Sequence, residues 1–444
     1  MDQDPNPDAV TIHEHPPSTW SSSSGILPRL QSQLPYSIPL LRRIQHHLAY
    51  PTSTATVLAT FPAVHQHETP RSTAPATAPE EEEEEEEPWL TAYIDLHAGR
   101  ETQVVIYSSA EADSSVDVDV SLPSSVHAPG PKSTGTETGT GSQRSLSLLS
   151  SNHTQTIRRQ LLALFQHIKT HLLPAYTAHL AAAGPVTTTA TKTDHQLPPP
   201  PPQAFLIGNL HTGLLAVLLA GPTPTSTETD EHALAAVYTS GVGSASFVPG
   251  LKVHRYDHAP YVKYLFGREE VVCPRDGDCG GSSAATGRDG FRFHTRDGRQ
   301  GVQPQHFALV RSRTVIPRSD ATLAMLPGAA VYAPTAGAGD GGTENPVAWA
   351  FLGPDGSLAT LHVEAEYRGQ GLAGRVAREA MRRGMVEDGR WWNGNGNGEE
   401  DKTGEGMLVH TNVAMGNGAS RRVMEKLGGK LGWTVTWTVV EVLQ

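Results

Sequence analysis

Apolar residues come in blocks along the chain, and their spacing inside each block predicts the elements. Leu40, Leu41, Ile44 and Leu48 recur at helical spacing. The β-branched run at 54–61 (TATVLATF) predicts a strand after that helix. Two more strands, TAYIDL and TQVVIY, are predicted within 89–107, split by the turn-like His97, Ala98 and Gly99. Ile157, Leu161, Leu164, Phe165, Ile168 and Leu172 form one stripe, with Arg158, Arg159, Gln166 and Lys169 mostly off it. That predicts a helix over 157–173 that Pro174 closes. Residues 205–219 are apolar again, but Asn209, His211 and Thr212 break the run too often for a membrane span. Residues 256–266 predict a short strand or helix.

From His306 onward the pattern is continuous. FALVRSRTVI (307–316) fits a strand or a helix, and Ala330 to Tyr332 a short strand. PVAWAFL (346–352) and SLATLHV (357–363) alternate as strands, and Gly353, Pro354, Asp355 and Gly356 between them read as a hairpin turn. A Gly-containing turn, Glu366 to Ala373, then leads into a helix reaching Met385, with Leu372, Val376, Ala380 and Met381 on its buried face. MLVHTNVA (407–414) predicts a strand, Asn417 to Gly428 a helix, and WTVTWTVVEVL (433–443) a last strand holding Trp433 and Trp437.

Composition explains the gaps between blocks. Of 444 residues 37% are hydrophobic and 6% aromatic, which is low for a fully packed chain of this length. The shortfall sits in tracts rich in Pro, Ser, Thr, Ala, Gly and Glu, which cannot bury enough apolar surface to offset the entropy of ordering. Disorder is therefore expected in the tail 1–25 and in insertions at 65–88, 110–155, 187–202 and 273–298. The five prolines at 198–202 should be extended. The net charge of −12 is mostly the run Glu80 to Glu87, so the folded part is near neutral and offers no basic field for nucleic acid. Cys273 and Cys279 have neither zinc nor redox spacing and read as free thiols. The acidic start resembles no secretory or transit signal, so the expectation is an intracellular protein of the cytoplasm or nucleus, without a membrane.

The chemistry lies in the turn after residue 363. A strand, a Gly-containing turn and a helix in that order leave the first amides of the helix without partners. Together with the positive end of the helix dipole they make an anion site. Gly369 and Gly371 let a pyrophosphate approach the backbone, and Arg368 adds charge at the rim. An ordinary turn that uses glycine for geometry is the plain alternative. A dinucleotide fingerprint, Gly369, Gly371 and Gly374, lacks the acidic residue that should follow it.

EYRGQGLA (366–373) resembles the coenzyme A pyrophosphate loop of the GNAT superfamily of N-acetyltransferases, with Arg368, Gly371 and Ala373 at its defining positions. NGASRRVMEKLG (417–428) resembles that superfamily's second motif. PVAWAFLGPDGSLATLHVEAEYRGQGL (346–372) is similar to the glycine N-acyltransferase-like branch, and LLRRIQHHLAYPTSTATVLATFP (40–62) is loosely similar to that branch's first half. The resemblance implies an α/β protein of two GNAT-like halves, each a mixed, mostly antiparallel sheet flanked by helices. The halves are expected at 26–300, degenerate, and 301–444, the N-acyltransferase domain.

It also implies acetyl-CoA or another acyl-CoA as co-substrate, no metal, and a primary amine as acceptor, and leaves the oligomeric state open. The cofactor would be held by Arg368, Gly369, Gln370, Gly371, Leu372 and Ala373, by Asn417 as a polar contact, and by Ser420 capping or facing it. A backbone amide near Val363 would polarise the thioester carbonyl. His362 and Glu364 are the candidate bases; on an unbroken strand they share one face, opposite Ser357, and a bulge would change that. Asn412 would line the acceptor side. Two departures bear on proton transfer: Met424 stands where members carry a Tyr, and Ser357 where the glycine branch carries a Glu. A coenzyme A-binding pseudoenzyme or interaction module, or a protein lysine or N-terminal acetyltransferase, are the alternatives.

Overall fold

Strict alternation in the first strands sets the layers. In β2 (Thr56–Ala59), β3 (Leu90–Ile94) and β4 (Val104–Ser108), Leu58, Ala92, Ile94, Val104 and Ile106 point to one core and Val57, Tyr93, Val105 and Tyr107 to another. A sheet with two apolar faces must be covered on both. Helices α1 (Ile26–Ser32) and α2 (Ile38–Ala49) cover one face. The other is covered by α3 (Thr154–His167), α4 (Leu173–Ala183) and α5 (Thr212–Leu219). The structure, a computed structural model, describes residues 10–63, 87–113, 115–119, 145–149, 153–183, 199–220, 235, 238–239, 249–272, 290–334, 344–387 and 408–443.

Among these residues one mixed, mostly antiparallel sheet of nine strands runs through the molecule. Besides β2, β3 and β4 it contains β1 (His13–Glu14), β7 (Ala204–His211), β8 (Leu251–Tyr256), β9 (Tyr261–Phe266), β13 (Val409–Ala414) and β14 (Lys430–Val442). The strand order is β1-β2-β3-β4-β7-β14-β9-β13, with β8 also on β14. A hairpin of β5 (Ser115–Asp119) and β6 (Ser145–Leu149) stands apart from that path. Three further strands, β10 (Gly328–Val331), β11 (Ala348–Leu352) and β12 (Leu358–Val363), form a second sheet. Its faces alternate in the same way. Ala348, Ala350 and Leu352 face α9 (Leu372–Arg382), while Trp349 and Phe351 face α7 (Phe307–Ser312) and α8 (Asp320–Met325). Leu372, Val376, Ala380 and Met381 are buried on α9 as their spacing predicts. Each large side chain among them contributes about 1.5–3 kcal/mol by burial. Two short helices, α6 (Arg268–Val272) and α10 (Gly418–Lys426), complete the second half.

The halves exchange strands. β9 belongs to the first half in sequence but lies between β13 and β14 of the second. β14 pairs with β9 through Lys430–Val435 and with β7 of the first half through Val435–Glu441. The expected boundary near residue 300 therefore describes chain order but not the sheet.

Several local expectations need correction. Residues from 10 onward belong to the fold rather than to a disordered tail, because Trp20 is buried and its Nε1 donates to His15 O at 2.7 Å. The stretch 110–155 contains a helical turn at Ala110–Asp113, the β5–β6 hairpin and the start of α3. Leu146, Leu148 and Leu149 there supply the apolar face that holds it. Pro174 does not end its helix. A π-helical turn, Ile168–Leu172, breaks the bonding pattern first, and α4 restarts with Pro174 in its first turn, where no amide donor is needed. Pro201 O accepts the Ala204 amide at 2.9 Å and turns the chain into β7. Residues 290–298 are tied down by the Arg292–Tyr332 bridge and buried Phe291. The Glu run up to Glu86, both cysteines, Trp391, Trp392 and the remainder of the expected insertions lie outside the described residues.

Candidate functional site

β12 and β13 run parallel and touch at one place. Ser357 bridges His410, and Thr411 Oγ1 donates to Leu358 O at 2.8 Å. Beyond that point no ladder pair joins them among the described residues, so a gap opens toward the C-terminal ends of both strands. Each strand is followed by a helix, and the starts of α9 and α10 stand at that open end.

The turn into α9 is built for close backbone approach. Gly369 and Gly371 have φ of 79° and 76°, in the left-handed region, and a Cβ on either would meet nothing within 4 Å. The Arg368 amide donates to Ala365 O at 3.3 Å, and the next amide with a backbone acceptor is that of Arg375, on Gly371 O at 3.3 Å. Ahead of it the amides of Gly369, Gln370, Gly371, Leu372 and Ala373 donate to no backbone acceptor among the described residues. Residues 368–371 are exposed, and Arg368 Nε donates to Val363 O at 3.0 Å. Because Glu364 gives its amide to Val347 O on the neighbouring strand, strand alternation turns the Val363 amide toward the gap. At the other helix, Asn417 is the cap: its Oδ1 accepts the Ser420 amide at 3.1 Å. Ser420 contributes that amide and is not itself the capping side chain.

A bulge decides which side chains share a face. Thr360 has φ 54°, and the β11–β12 register shifts beside it, so Ala359 pairs with Phe351 but His362 with Trp349. Trp349 and Phe351 share a face, so His362 lies on the same side as Ala359 and Ser357. The arrangement expected for an unbroken strand, with His362 opposite Ser357, is thereby reversed. His362 and Glu364 are brought together, with Nε2 and Oε2 3.6 Å apart. The His362 ring stacks on Trp349 at 4.6 Å, and Arg313 Nε holds Glu364 at 3.0 Å. Burial lowers the His362 pKa, against the opposing pull of Glu364. The imidazole is therefore neutral, and able to accept a proton, at neutral pH. Met424 is buried in the core between sheet and helices and offers no proton donor.

At the closed end of the gap lies a polar cluster that the sequence reading passed over. Lys263, on β9, has 0% exposure. Its Nζ donates to Asn412 Oδ1 at 2.8 Å, Asn209 Oδ1 at 2.9 Å and His410 Nδ1 at 3.2 Å. Asn209 Nδ2 donates to Asp355 Oδ2 at 2.7 Å, and Asp355 Oδ1 accepts from Ser357 Oγ at 2.5 Å. His410 Nε2 donates to Asp355 O at 2.9 Å, which places its proton on that nitrogen. Asn412, expected to line the acceptor side, thus spends its Oδ1 on Lys263 and its Nδ2 on Asn209 Oδ1. Burial pulls Lys263 down to about 7 and His410 down to about 3. Three acceptors around one Nζ favour the ammonium form. Two signals for this cluster were in the sequence: a lysine in the apolar strand YVKYLF, and an aspartate in a turn read only for its geometry.

Among the described residues no three metal-ligating side chains converge, and no helix is long and apolar enough to cross a membrane. Comparison with known proteins finds that residues 9–264 match the family described as the acyl-CoA N-acyltransferase verG N-terminal domain. The matched span covers most of the first half and ends within β9; the glycine turn lies outside it. Among solved structures, a Drosophila protein is 11% identical, with 97% of this chain and 98% of that one covered and a TM-score of 0.43. A Novosphingobium aromaticivorans protein described as an acetyltransferase from the GNAT family is 17% identical over 44% of this chain and 70% of its own, with a TM-score of 0.26. A GCN5-related N-acetyltransferase from Kribbella flavida is 12% identical over 44% of this chain and 65% of its own, with a TM-score of 0.24. At those scores the structural likenesses carry no argument about the site. No curated protein matches.

Proposed function

We propose that this chain, which belongs to the family of the acyl-CoA N-acyltransferase verG N-terminal domain, transfers an acyl group from coenzyme A to a primary amine at the gap between β12 and β13. The observation that carries this reading is the Gly369–Ala373 turn, with two left-handed glycines and a run of unpaired amides at the mouth of that gap. A pyrophosphate there would receive backbone hydrogen bonds, the helix dipole and the Arg368 charge. Asn417 and Ser420, at the start of α10, would flank the pantetheine arm. The Val363 amide, turned into the gap, would polarise the thioester carbonyl.

Transfer is direct. The amine nitrogen bonds to the thioester carbon, the carbon–sulfur bond breaks, and no acyl-enzyme forms. The protein supplies positioning and carbonyl polarisation. An ammonium must shed a proton before it attacks, and neutral His362, with Glu364 beside it, is the proposed acceptor of that proton. Acetyl-CoA is the simplest donor. Buried Met424 favours a second reading, a coenzyme A-binding protein without transfer, since the leaving thiolate finds no proton donor there. Lysine or N-terminal amines of proteins are the other acceptors to test. The deciding experiment incubates the protein with acetyl-, benzoyl- and longer acyl-coenzyme A against a panel of amines and reads free thiol. Turnover supports transfer; coenzyme A binding without turnover on any amine supports the second reading.

A further inference from the structure

The segment between α7 and α8 is tied at both ends to groups around the gap. At its start Arg313 Nε donates to Glu364 Oε1 at 3.0 Å, and Glu364 follows directly on β12, beside His362. At its end it meets the first half. Glu101, from the connection between β3 and β4, accepts from Thr322 Oγ1 at 2.7 Å, from the Ser319 amide at 3.3 Å and from Arg318 Nη1 at 3.4 Å. The next residue, Thr102, leads back to the gap. Its Oγ1 accepts from Trp437 Nε1 at 3.3 Å, the Trp437 ring meets the Tyr261 ring edge-on at 4.9 Å, and Tyr261 pairs with Ala414, the last residue of β13. The strap 313–318 therefore runs from the β12 side of the gap to the β13 side. It lies on one face of the sheet. Val262, Tyr264 and Val413 point to the core under α9, so Tyr261 and Ala414 point the other way, as His362 does on Trp349. The glycine turn leads into α9, on the opposite face. The strap is also stiff. Pro317 fixes its own φ and keeps Ile316 extended, and Thr314 Oγ1 accepts the Ile316 amide at 3.1 Å. From Arg313 to Arg318 such a chain spans at most about 18 Å.

We propose that Glu101 is a positioning residue, supplied by the first half, that holds this strap across the acceptor side of the gap and restricts the acceptor to a small amine rather than a lysine on a protein. This rests on the acyl-transfer reading and deepens it. The reacting amine must reach the thioester carbon beside the Val363 amide, close enough to His362 to pass it a proton. Coenzyme A takes one face through the glycine turn, so the amine arrives from the other, where the strap lies. A segment anchored at both ends narrows that approach to less than its own span. A lysine in a protein carries its backbone to within one side-chain length of the reacting carbon, and that backbone must pass between strap and sheet or displace the strap. A short amine needs neither. The anchor suits the role. One carboxylate takes a charge-assisted bond and two further hydrogen bonds, and the Glu101 and Arg318 side chains are only 19% and 15% exposed, which limits screening. Between its anchors the strap carries Thr314, Val315, Ile316 and Pro317, without a charge to draw an ionic peptide.

The test compares transfer from acetyl-coenzyme A to short alkylamines with transfer to a blocked lysine peptide, and reads KM, kcat and coenzyme A affinity for each variant. In the wild type, kcat/KM for the best alkylamine should exceed that for the peptide by about 10²-fold or more. Glu101→Ala releases all three donors. Its alkylamine KM should rise about 10-fold with kcat within roughly 3-fold, and its preference over the peptide should shrink to roughly 10-fold or less, at unchanged coenzyme A affinity. Thr322→Val removes the shortest of the three bonds without touching Glu101 and should move the same ratio in the same direction. Thr322→Ser keeps the hydroxyl and should restore it. If Glu101→Ala does not fold, the Thr322 pair decides. Active variants with the wild-type preference, or with kcat and coenzyme A affinity reduced together, overturn the proposal alone. So does a wild type that acetylates the peptide as well as any alkylamine. A wild type that binds coenzyme A and transfers to neither class overturns the acyl-transfer reading and this inference with it.

Discussion

The two halves share one plan and put it to different use. In the first, β4 and β7 are parallel and meet at a single ladder pair, Val104 with Ile207, with α3 and α5 following them. In the second, β12 and β13 meet at Ser357 and His410, with α9 and α10 following. The difference is what lies between strand and helix. After β12 come eight residues with two left-handed glycines and unpaired amides. After β4 comes an insertion whose β6 strand packs onto the end of β7. Thr212 Oγ1 donates to Ser147 O at 2.5 Å, the Ser147 amide donates to Thr434 Oγ1 at 2.8 Å, and Leu146, Leu148 and Leu149 fill the core. One parting of strands is covered by the chain itself; the other ends at the exposed glycine turn, the proposed coenzyme A site. A parted strand pair is thus a scaffold that becomes a site only when its turn keeps donors free.

The largest expected effect separates the halves by cofactor. Gly371→Glu forces a side chain onto a left-handed position and a carboxylate into the space where phosphate would sit. Coenzyme A affinity, expected in the micromolar range or about −8 kcal/mol for the wild type, should fall at least roughly 100-fold. Calorimetry on both proteins checks it, and equal affinities would remove this turn from the site.

The next effect concerns chemistry within the open half. If His362 takes the proton, His362→Ala should lower kcat/KM by roughly 10²-fold while coenzyme A affinity stays unchanged. With its pKa lowered by burial, the wild-type imidazole is already neutral at pH 7, so the histidine adds no basic limb above that pH. If Glu364 is the base, Glu364→Gln should carry the same loss. Wild-type rates and pH profiles in both variants would leave solvent as the acceptor of the proton.

Much of this contrast was legible in the sequence, for reasons that differ by residue. The stripe on α9, the alternation in β11 and β12 and the Pro-Asp-Gly turn are local patterns, and each formed where its period placed it. The glycine turn was legible because its residues are consecutive along the chain. The strand exchange was not: β9 and β14 have the same apolar alternation whichever sheet they join, and only long-range pairing decides. The Thr360 bulge was equally hidden, since a residue of ordinary strand propensity adopts positive φ there, and that one residue reverses the facing of His362. Asn209, Lys263 and Asp355 are far apart in sequence, and no spacing rule relates them.

A smaller effect should strike the plugged half alone. A Cβ on Gly213, at the start of α5, would lie 2.6 Å from the backbone nitrogen of Leu149 on β6. Gly213→Ala must push the hairpin off the helix start, at a cost of about 1–3 kcal/mol. Thermal unfolding should shift accordingly while coenzyme A affinity stays at the wild-type value. A matching loss of coenzyme A affinity would mean that the first half also holds cofactor.

The last effect is a pH dependence of stability written into the plugged half. Glu111 follows β4 and is buried at 3% exposure, with Oε1 accepting the Ser108 amide at 2.9 Å. Burial pushes its carboxyl up to about 8, against the downward pull of that amide and of Lys263. In the unfolded chain the same group titrates near ~4.3. Between those values the folded state holds a proton that the unfolded state has lost, so stability falls as pH rises through the window. Glu111→Gln keeps the acceptor for the Ser108 amide and removes the titration. The variant should therefore match the wild type near pH 5 and exceed it near pH 8, by on the order of a few kcal/mol at most. Thermal unfolding of both proteins across that range measures the difference. A constant offset between the two curves would mean that Glu111 is already ionised in the folded protein, paired with the Lys263 cation, and that the plugged half shares its electrostatics with the open one.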